Sequence, residues 1–268
     1  MQIKVLGPLN VHVGFTDALP TARKPRKLLA LLLLSDSRVV PVSSLVTELW
    51  DHSPPRSAMT TLQTYVMQLR KALAEAMGVS TTLVSREVLL TKGTGYAFRV
   101  SPGQLDLHEY ARLESAGEWA LKCGDDAGAV RLLRQAERLW RGPALADIEH
   151  GQLMEAEVAR LEQSRMTMVE RRIEAELRLG LHQSTLSELA GLVSYHRFHE
   201  DLHAKFMLAL YRSGHRSRAL EVYQRLRKAL VDELGLEPSP KLQSLLRSVL
   251  LSDSSLSESS LSDSSLAS

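Results

Sequence analysis

Two stretches decide the fold of this 268-residue chain: LQTYVMQLRKAL at residues 62–73 and KGTGYAF at residues 92–98. In the first, Leu62, Val66, Leu69 and Leu73 recur at i, i+4, i+7 and i+11, which predicts the core-facing stripe of a helix over about residues 57–77. In the second, two glycines permit positive φ angles, as the tip or bulge of a β-hairpin requires. A helix followed by a glycine-bearing hairpin is the order found in winged-helix domains.

The rest of the first hundred residues fits the same plan. Segments 2–6 and 11–15 are short and rich in β-branched residues, which predicts two strands, with extended chain up to Pro20. Residues 27–34 predict a buried helix, and a second helix starts at a cap on Ser43 or Ser44 and ends before Pro54. Residues 83–85 and 88–91 predict two strands around a turn at 86–87.

The side of the third helix opposite its apolar stripe has the chemistry of a DNA-reading surface. It carries small hydroxyls, an amide and cations, with no acidic residue before Glu75: Thr60, Thr61, Thr64, Met67, Gln68 and Lys71, with Arg70 at the edge. Such side chains reach base edges in a major groove, which an acidic face does not approach. A face that is merely solvated is the alternative interpretation.

Charge is distributed unevenly along the chain. Residues 1–100 hold twelve Lys/Arg and six Asp/Glu, a net +6, and the remaining 168 residues hold 21 and 25, a net −4. A basic excess of this size suits a phosphate-binding module, although domains that bind nothing also carry one. The longest apolar run, residues 28–34, is too short to span a bilayer, and the beginning MQIKVLG has no signal-like pattern. With a single cysteine, Cys123, the composition predicts a protein of the reducing cytoplasm.

From residue 105 onward the pattern is helical, with glycines between segments. Gly180 and Gly214 are 34 residues apart, the tetratricopeptide period. The predicted fold class is therefore mainly α with a small β component: an N-terminal winged helix-turn-helix followed by an all-α tetratricopeptide-like domain. The predicted domains are residues 1–102, residues 103–251, and a Ser-rich acidic tail at 252–268 that we expect to be disordered. This tail is interpreted as solvated chain or a linker remnant, with serine phosphorylation as the alternative.

The stretch His199-Glu200-Asp201-Leu202-His203 matches the HExxH pattern of zinc proteases, and His196 lies nearby. We favour a helix start within a repeat, because acidic residues suit a first helical turn and this half predicts no strands for a substrate cleft. A free thiol at Cys123 and an N-cap role for Asp125-Asp126 are likewise simpler than catalytic roles. The prediction is that the chain is not an enzyme and has no catalytic residues, metal site or cofactor.

Several motifs together resemble a known family. LQTYVMQLRKAL and KGTGYAF look like the recognition helix and wing of the OmpR-like winged-helix family. With KPRK (24–27) and LWDHSPP (49–55), they are similar to the Streptomyces antibiotic regulatory protein (SARP) family, activators of secondary-metabolite gene clusters. LWRGPAL (139–145) and residues 207–240 resemble the bacterial transcriptional activation domain (BTAD) of that family, so the resemblance covers about residues 1–251.

The resemblance implies roles for individual residues. On the third helix, the positions that approach bases are Thr61, Thr64, Tyr65 and Gln68, and those near phosphates are Thr60, Arg70 and Lys71. Lys92 and Thr94 fall in the wing, at the minor groove. Met67 and Gln68 stand where the broader family often has basic residues, so base preferences are not transferable.

The leading hypothesis is a homodimer on promoter DNA, bound to tandem direct repeats. Phosphate contacts come from the basic helix entrance and the wing: Arg23, Lys24, Arg26, Lys92 and Thr94. The resemblance further implies recruitment of RNA polymerase, and the loop of Asp51, His52, Ser53 and Arg56 is the candidate contact with its sigma subunit; a simple rigid turn is the alternative. Such a protein works in the cytoplasm at the nucleoid, without a membrane. The rival functions are a repressor with the same DNA contacts and a tetratricopeptide-type scaffold without DNA binding.

Overall fold

The structure, a computed structural model, describes residues 1–51 and 53–251. The first hundred residues form six short strands and four helices. In chain order these are β1 (Gln2–Lys4), β2 (Asn10–Val13), β3 (Thr16–Asp17), α1 (Arg23–Leu34), β4 (Val40–Pro41), α2 (Val42–Trp50), α3 (Ala58–Met77), α4 (Thr81–Glu87), β5 (Leu89–Lys92) and β6 (Gly95–Phe98).

The described part of the chain beyond these elements is helical. Its helices are α5 (Asp106–Lys122), α6 (Asp126–Glu137), α7 (Gln152–Arg178), α8 (His182–Tyr195), α9 (Glu200–Arg212), α10 (Arg216–Leu234) and α11 (Pro240–Leu251). The mainly α fold class, a winged-helix region followed by a helical domain, is confirmed.

Two predictions about local structure are wrong. Residues 83–85, predicted as a strand, lie within α4, which Ser80 caps by accepting a hydrogen bond from the Leu83 amide at 3.2 Å. The apolar pair Leu83-Val84 was a misleading signal, because the cap and the burial of Val84 favour a helical turn. The second helix begins at Val42 after Pro41, so neither Ser43 nor Ser44 caps it. The following strand does form, at Leu89–Lys92.

The wing is an antiparallel sheet in the order β4-β6-β5. Lys92 pairs with Gly95 across a two-residue loop of Gly93 and Thr94, so residues 92–95 form the hairpin tip, and Gly93 takes a φ of +54°. Gly95 is required for another reason: a Cβ at this position would lie 2.4 Å from the Val40 carbonyl oxygen. The close approach of β4 therefore requires a glycine beside the hairpin turn.

Contacts divide the described chain into two compact units. One unit contains residues 1–115 and 134–167, and the other contains residues 116–133 together with the chain from Met168 onward. The division into domains at 102/103 stays a prediction, and its third segment, 252–268, lies outside the described residues. The first unit thus combines the winged helix with part of the helical half.

A buried carboxylate joins these two parts of the first unit. Glu48, on α2, is 2% exposed. Its oxygens accept hydrogen bonds from the Gly151 amide at 2.7 Å and from the Leu153 amide at 2.9 Å, at the N-terminus of α7. Lys27 Nζ lies 3.9 Å from the same carboxylate. The negative charge is stabilised by a lysine and by the free amides of a helix N-terminus, where anions are favoured.

Two further carboxylates make the same kind of link. Asp106, the first residue of α5, accepts hydrogen bonds from the amides of Val5 at 2.9 Å and Leu6 at 3.1 Å. Burial raises the pKa of Asp106 above its ordinary value, and these amides act against that rise. Asp147 accepts from the Leu9 amide at 2.7 Å and forms an ion pair with Arg26. The carboxylates of Asp106 and Asp147 thus hold the backbone that follows β1.

The second unit is a stack of helices. Asp126 on α6 pairs with Arg178 at the end of α7, and α8 packs on α9, which packs on α10. α11 closes the stack against α9 and α10. Gly180 and Gly214 turn the chain between successive helices with φ of +77° and +80°, as their 34-residue spacing predicts.

None of the described helices is both long enough and apolar enough to cross a bilayer.

We predict that Glu48→Ala lowers the free energy of unfolding by about 3 kcal/mol or more, because it leaves the half-buried Lys27 and several amide donors without their acceptor. Urea unfolding followed by tryptophan fluorescence measures the shift. Glu75→Ala, which removes an exposed carboxylate on α3 near Lys71, is the control and should change stability by about 0.5 kcal/mol or less. Equal small shifts in both variants would contradict the role given to Glu48.

Candidate nucleic-acid interface

The third helix is fixed by its buried side and its C-terminus. Its inner stripe is buried against the unit's core: Ala58, Leu62, Val66, Leu69, Leu73 and Ala74. Gly78 ends the helix in the left-handed conformation at φ +65°, where its amide and that of Val79 reach back to the last turn. The orientation of the opposite face is therefore set by the core.

That opposite face is exposed. The side chains of Thr60, Thr64, Met67, Gln68 and Lys71 are open to solvent, while Thr61, Tyr65 and Arg70 are half-buried. Met67 is 64% exposed, so an apolar side chain lies in the middle of an otherwise polar surface. Two of the hydroxyls already have partners on the helix: Thr64 donates to the Thr60 carbonyl oxygen at 3.0 Å, and Thr61 is 3.5 Å from Ser57 Oγ.

An aromatic stack ties this helix to the basic helix entrance. The Tyr65 ring lies 6.2 Å from the Trp50 ring with an interplanar angle of 15°, and Lys24 Nζ lies 4.7 Å from the centre of the Trp50 ring. A cation over an indole face is attracted by the ring's quadrupole. The predicted base contact Tyr65 and the predicted phosphate contact Lys24 thus belong to one cluster spanning α1, α2 and α3, a relation the sequence did not reveal.

Arg70 is used inside the protein. Its guanidinium donates to the Leu89 carbonyl oxygen from Nε at 3.0 Å and from Nη2 at 2.8 Å, and Nη2 is 2.8 Å from Thr91 Oγ1. Burial lowers the pKa of Arg70 from its ordinary value. These contacts clamp β5 of the wing onto the recognition helix, so the guanidinium positions the wing. A phosphate contact by Arg70 stays a prediction.

The predicted wing residues lie at the hairpin tip. Lys92 and Thr94 are exposed on either side of Gly93. The Thr94 carbonyl oxygen accepts a hydrogen bond from the Val42 amide at 2.9 Å, at the first residue of α2. The tip is therefore anchored through the backbone, and its two side chains are left to contact a ligand.

The basic side chains at the entrance of α1 have different surroundings. Arg23 is exposed, whereas Arg26 is paired with Asp147 and Lys27 approaches Glu48. The acidic partners Asp147 and Glu48 were missed at the sequence level, because neither is near this segment in the chain. Together these side chains border an open cleft of about 930 Å³ within the first unit.

The predicted polymerase-contact loop projects from the end of α2. Asp51 ends that helix at φ +52° and ψ −128°, a conformation that non-glycine residues seldom adopt. Ser53 and Arg56 are exposed, and the Ser53 amide donates to the Trp50 carbonyl oxygen at 3.1 Å. His52 lies outside the described residues.

α4 adds a feature that the sequence analysis missed. Its residues Thr81, Thr82 and Ser85 line a groove with Gln68 and Lys71 of the recognition helix. The signal was present in the cap residue Ser80 followed by two threonines, a pattern that favours a helix start. The exposed face of α3 is therefore flanked by hydroxyl groups of α4.

The HExxH stretch begins α9. His199 precedes the helix with Nε2 3.0 Å from Glu170 Oε1, and the buried His203 places Nδ1 3.0 Å from the His199 carbonyl oxygen. Burial lowers the pKa of His203. In the described parts of the chain, no three His, Cys, Asp or Glu side chains converge as a set of metal ligands.

Comparison with known proteins agrees with this arrangement. Residues 17–98 match the family described as transcriptional regulatory protein, C terminal, and residues 105–250 match the bacterial transcriptional activator domain. Regulatory protein DnrI of Streptomyces peucetius is 47% identical over 253 residues, covering 94% of this chain and 93% of the relative. The chain belongs to the SARP family of transcriptional activators.

Two longer relatives share the same region. Regulatory protein AfsR of Streptomyces coelicolor is 36% identical over 94% of this SARP chain, which spans 24% of AfsR. A solved structure of Mycobacterium tuberculosis EmbR in complex with a low affinity phosphopeptide superimposes with a TM-score of 0.85 at 31% identity, covering 94% of this chain and 65% of EmbR. The family is one of DNA-binding transcriptional regulators, and we interpret the exposed face of α3 in that light.

We predict that Arg70→Leu weakens binding to promoter DNA through the wing. Losing three donated hydrogen bonds should lower the unfolding free energy by about 1–3 kcal/mol, while the salt dependence of DNA binding stays unchanged. Lys71→Leu, its exposed neighbour, should leave stability intact and lower the salt slope by about one. A lower salt slope with unchanged stability in Arg70→Leu would instead show a direct phosphate contact.

Proposed function

We propose that two copies of this chain bind tandem direct repeats in a promoter and recruit RNA polymerase to a secondary-metabolite gene cluster. The observation that carries the proposal is the exposed face of α3, free of acidic residues from Ala58 to Ala74 and joined to β5 of the wing through Arg70. Family membership supports activation rather than repression.

Base reading is assigned to one side of α3 and backbone contact to its surroundings. Gln68 and Thr64 are exposed on the helix, and an amide such as that of Gln68 makes paired hydrogen bonds with adenine in the major groove. Lys71, Arg23 and the wing-tip Lys92 are exposed cations suited to phosphates. Thr60, Thr61, Tyr65 and Thr94 complete the proposed surface, with Tyr65 presented by its stack on Trp50.

The expected spacing of the repeats follows from the length of one turn of the DNA double helix. Direct repeats about one helical turn apart, roughly 10–11 base pairs, place the recognition helices of two copies in successive major grooves on the same side of the duplex. Inserting five base pairs between the repeats would turn the second site to the opposite side. Footprinting should show two protected repeats on the natural spacing and loss of joint protection on the lengthened one.

The loop after α2 is assigned to polymerase. Its two prolines cannot continue α2, and the exposed Ser53 and Arg56 present a hydroxyl and a cation just before α3 begins at Ala58. A loop at this position lies beside bound DNA, where the sigma subunit of a polymerase at the same promoter is within reach.

We predict that Gln68→Ala costs about 1–3 kcal/mol of discrimination between the operator and a random duplex. Lys92→Ala should instead weaken binding to both duplexes similarly and lower the salt slope by about one. Titration of labelled DNA at several salt concentrations measures both effects. Gln2→Ala and Lys4→Ala, exposed residues of the same types on β1, are the matched controls. If neither test variant weakens binding while its fold survives, the recognition surface is assigned wrongly.

We predict that Arg56→Ala keeps operator affinity within about twofold but reduces transcript yield several-fold with purified polymerase holoenzyme. This result would mean that the loop contacts the polymerase and not the DNA. The variant should remain folded, since loss of a surface cation changes the free energy of unfolding by about 0.5 kcal/mol or less. Unchanged yield would identify the loop as a rigid turn. Lower yield with the unaltered protein than without it would show repression at that promoter.

A further inference from the structure

The α8–α10 stack carries a groove with an apolar floor and a basic rim. Its volume is about 510 Å³, and all of its lining residues belong to the second unit. The floor includes Phe206, Val222 and Leu226, and the rim carries Arg197, Arg218 and Arg225. Among the described residues, no aspartate or glutamate lines it.

Two of the rim arginines have guanidinium N–H groups that form no ion pair within the described chain. Arg218 and Arg225 are exposed, and within the described chain no carboxylate lies in ion-pair distance of either. Arg225 has only a long 3.4 Å hydrogen bond from Nε to the Glu221 carbonyl oxygen, whereas Arg197 is paired with Glu233. His203, which also borders the groove, has a pKa lowered by burial. The positive charge of the rim therefore comes from arginines.

The chain itself contains a segment of complementary composition. Residues 252–268 read SDSSLSESSLSDSSLAS, with three acidic residues and no basic one. A leucine precedes an acid by two positions in Leu256/Glu258 and Leu261/Asp263, and Leu251 precedes Asp253 in the same way. Each repeat thus offers one apolar group to the floor and one carboxylate to the rim, and charge complementarity of this kind selects partners.

The segment starts close enough to reach the groove. α11 ends at Leu251, and Arg216 at the start of α10 donates to the Leu250 carbonyl oxygen at 2.6 Å. The rim residue Arg218 is two positions further along α10. Seventeen residues span at most about 56–61 Å. The groove runs only about 17 Å along α10, and a helix is about 10–12 Å across, so the segment is long enough to pass over α10 and reach it.

We propose that residues 252–268 bind in cis in the α8–α10 groove, through Arg218 and Arg225, and so cover this groove. Covalent attachment gives the segment a millimolar effective concentration, which allows a weak contact to be populated. A partner protein that uses the same groove must displace it. The proposal concerns the second unit and is independent of the DNA contacts.

The test uses the full-length protein with a nitroxide label on the tail. Ser260→Cys in a Cys123→Ser background gives a single attachment site, since Cys123 is the sole cysteine. At about 20 mM salt the electron paramagnetic resonance spectrum should contain an immobilised component, which disappears at about 500 mM salt because exposed charges are screened. A spectrum without an immobilised component at low salt would overturn the proposal.

Matched charge reversals identify the site. Arg218→Glu with Arg225→Glu should reduce the immobilised component at least fivefold, and Lys228→Glu, an exposed cation on α10 outside the groove, should leave it unchanged. Reversing the tail instead (Asp253→Lys, Glu258→Lys and Asp263→Lys) should abolish the component without altering any helix. Combining the two sets should restore it. Equal effects of Arg218→Glu and Lys228→Glu would overturn the assignment.

A dilution series distinguishes binding of a chain's own tail from binding of the tail of a second copy. An immobilised fraction that is unchanged between about 5 and 100 μM supports binding in cis, because intramolecular contacts do not depend on concentration. A fraction that rises with concentration would overturn the proposal in favour of exchange between copies.

Discussion

A single buried carboxylate, Glu48, fixes α2 of the winged helix to the N-terminus of α7 in the helical half of the first unit. Burying a charge is costly unless it is paired and hydrogen-bonded, and Glu48 meets both conditions with Lys27 and the first amides of α7. Asp106 and Asp147 repeat the arrangement on the backbone after β1. The winged helix is therefore part of a larger body, whose helices stabilise the surface it presents.

A small number of contacts also fixes the proposed DNA-facing side. The apolar stripe of α3 fixes one face of the helix in the core, and Arg70 fixes the neighbouring strand of the wing to it. Helix and wing thus present their side chains from one framework, which holds the proposed base contacts and the proposed backbone contacts at a constant separation. Gly95 completes this framework by admitting β4 next to β6.

Local periodicity made much of the fold predictable from sequence. The stripe Leu62–Leu73 predicted α3, the glycines predicted the hairpin, and the 34-residue glycine spacing predicted turns between helices. Residues 83–85 misled the prediction, because the strand propensity of Val84 weighs less than a capped helical turn that buries its side chain. The amide partners of Glu48, more than a hundred residues away, were beyond local pattern, since a single sequence carries no signal of long-range pairing. The stack of Lys24, Trp50 and Tyr65 escaped prediction for the same reason.

The ion pair between Arg26 and Asp147 changes what a bound phosphate would displace at the entrance of α1. A solvent-facing cation that neutralises a DNA phosphate sets free a counterion condensed on the DNA, and that release is a source of salt-dependent affinity. Asp147 is instead a tethered counterion of Arg26, held additionally by the Leu9 amide. When a phosphate takes the place of Asp147, this carboxylate loses its partner, and its uncompensated charge offsets the phosphate charge that Arg26 neutralises. The formal charge of the N-terminal segment therefore overstates the number of cations that act as independent anchors on a nucleic acid.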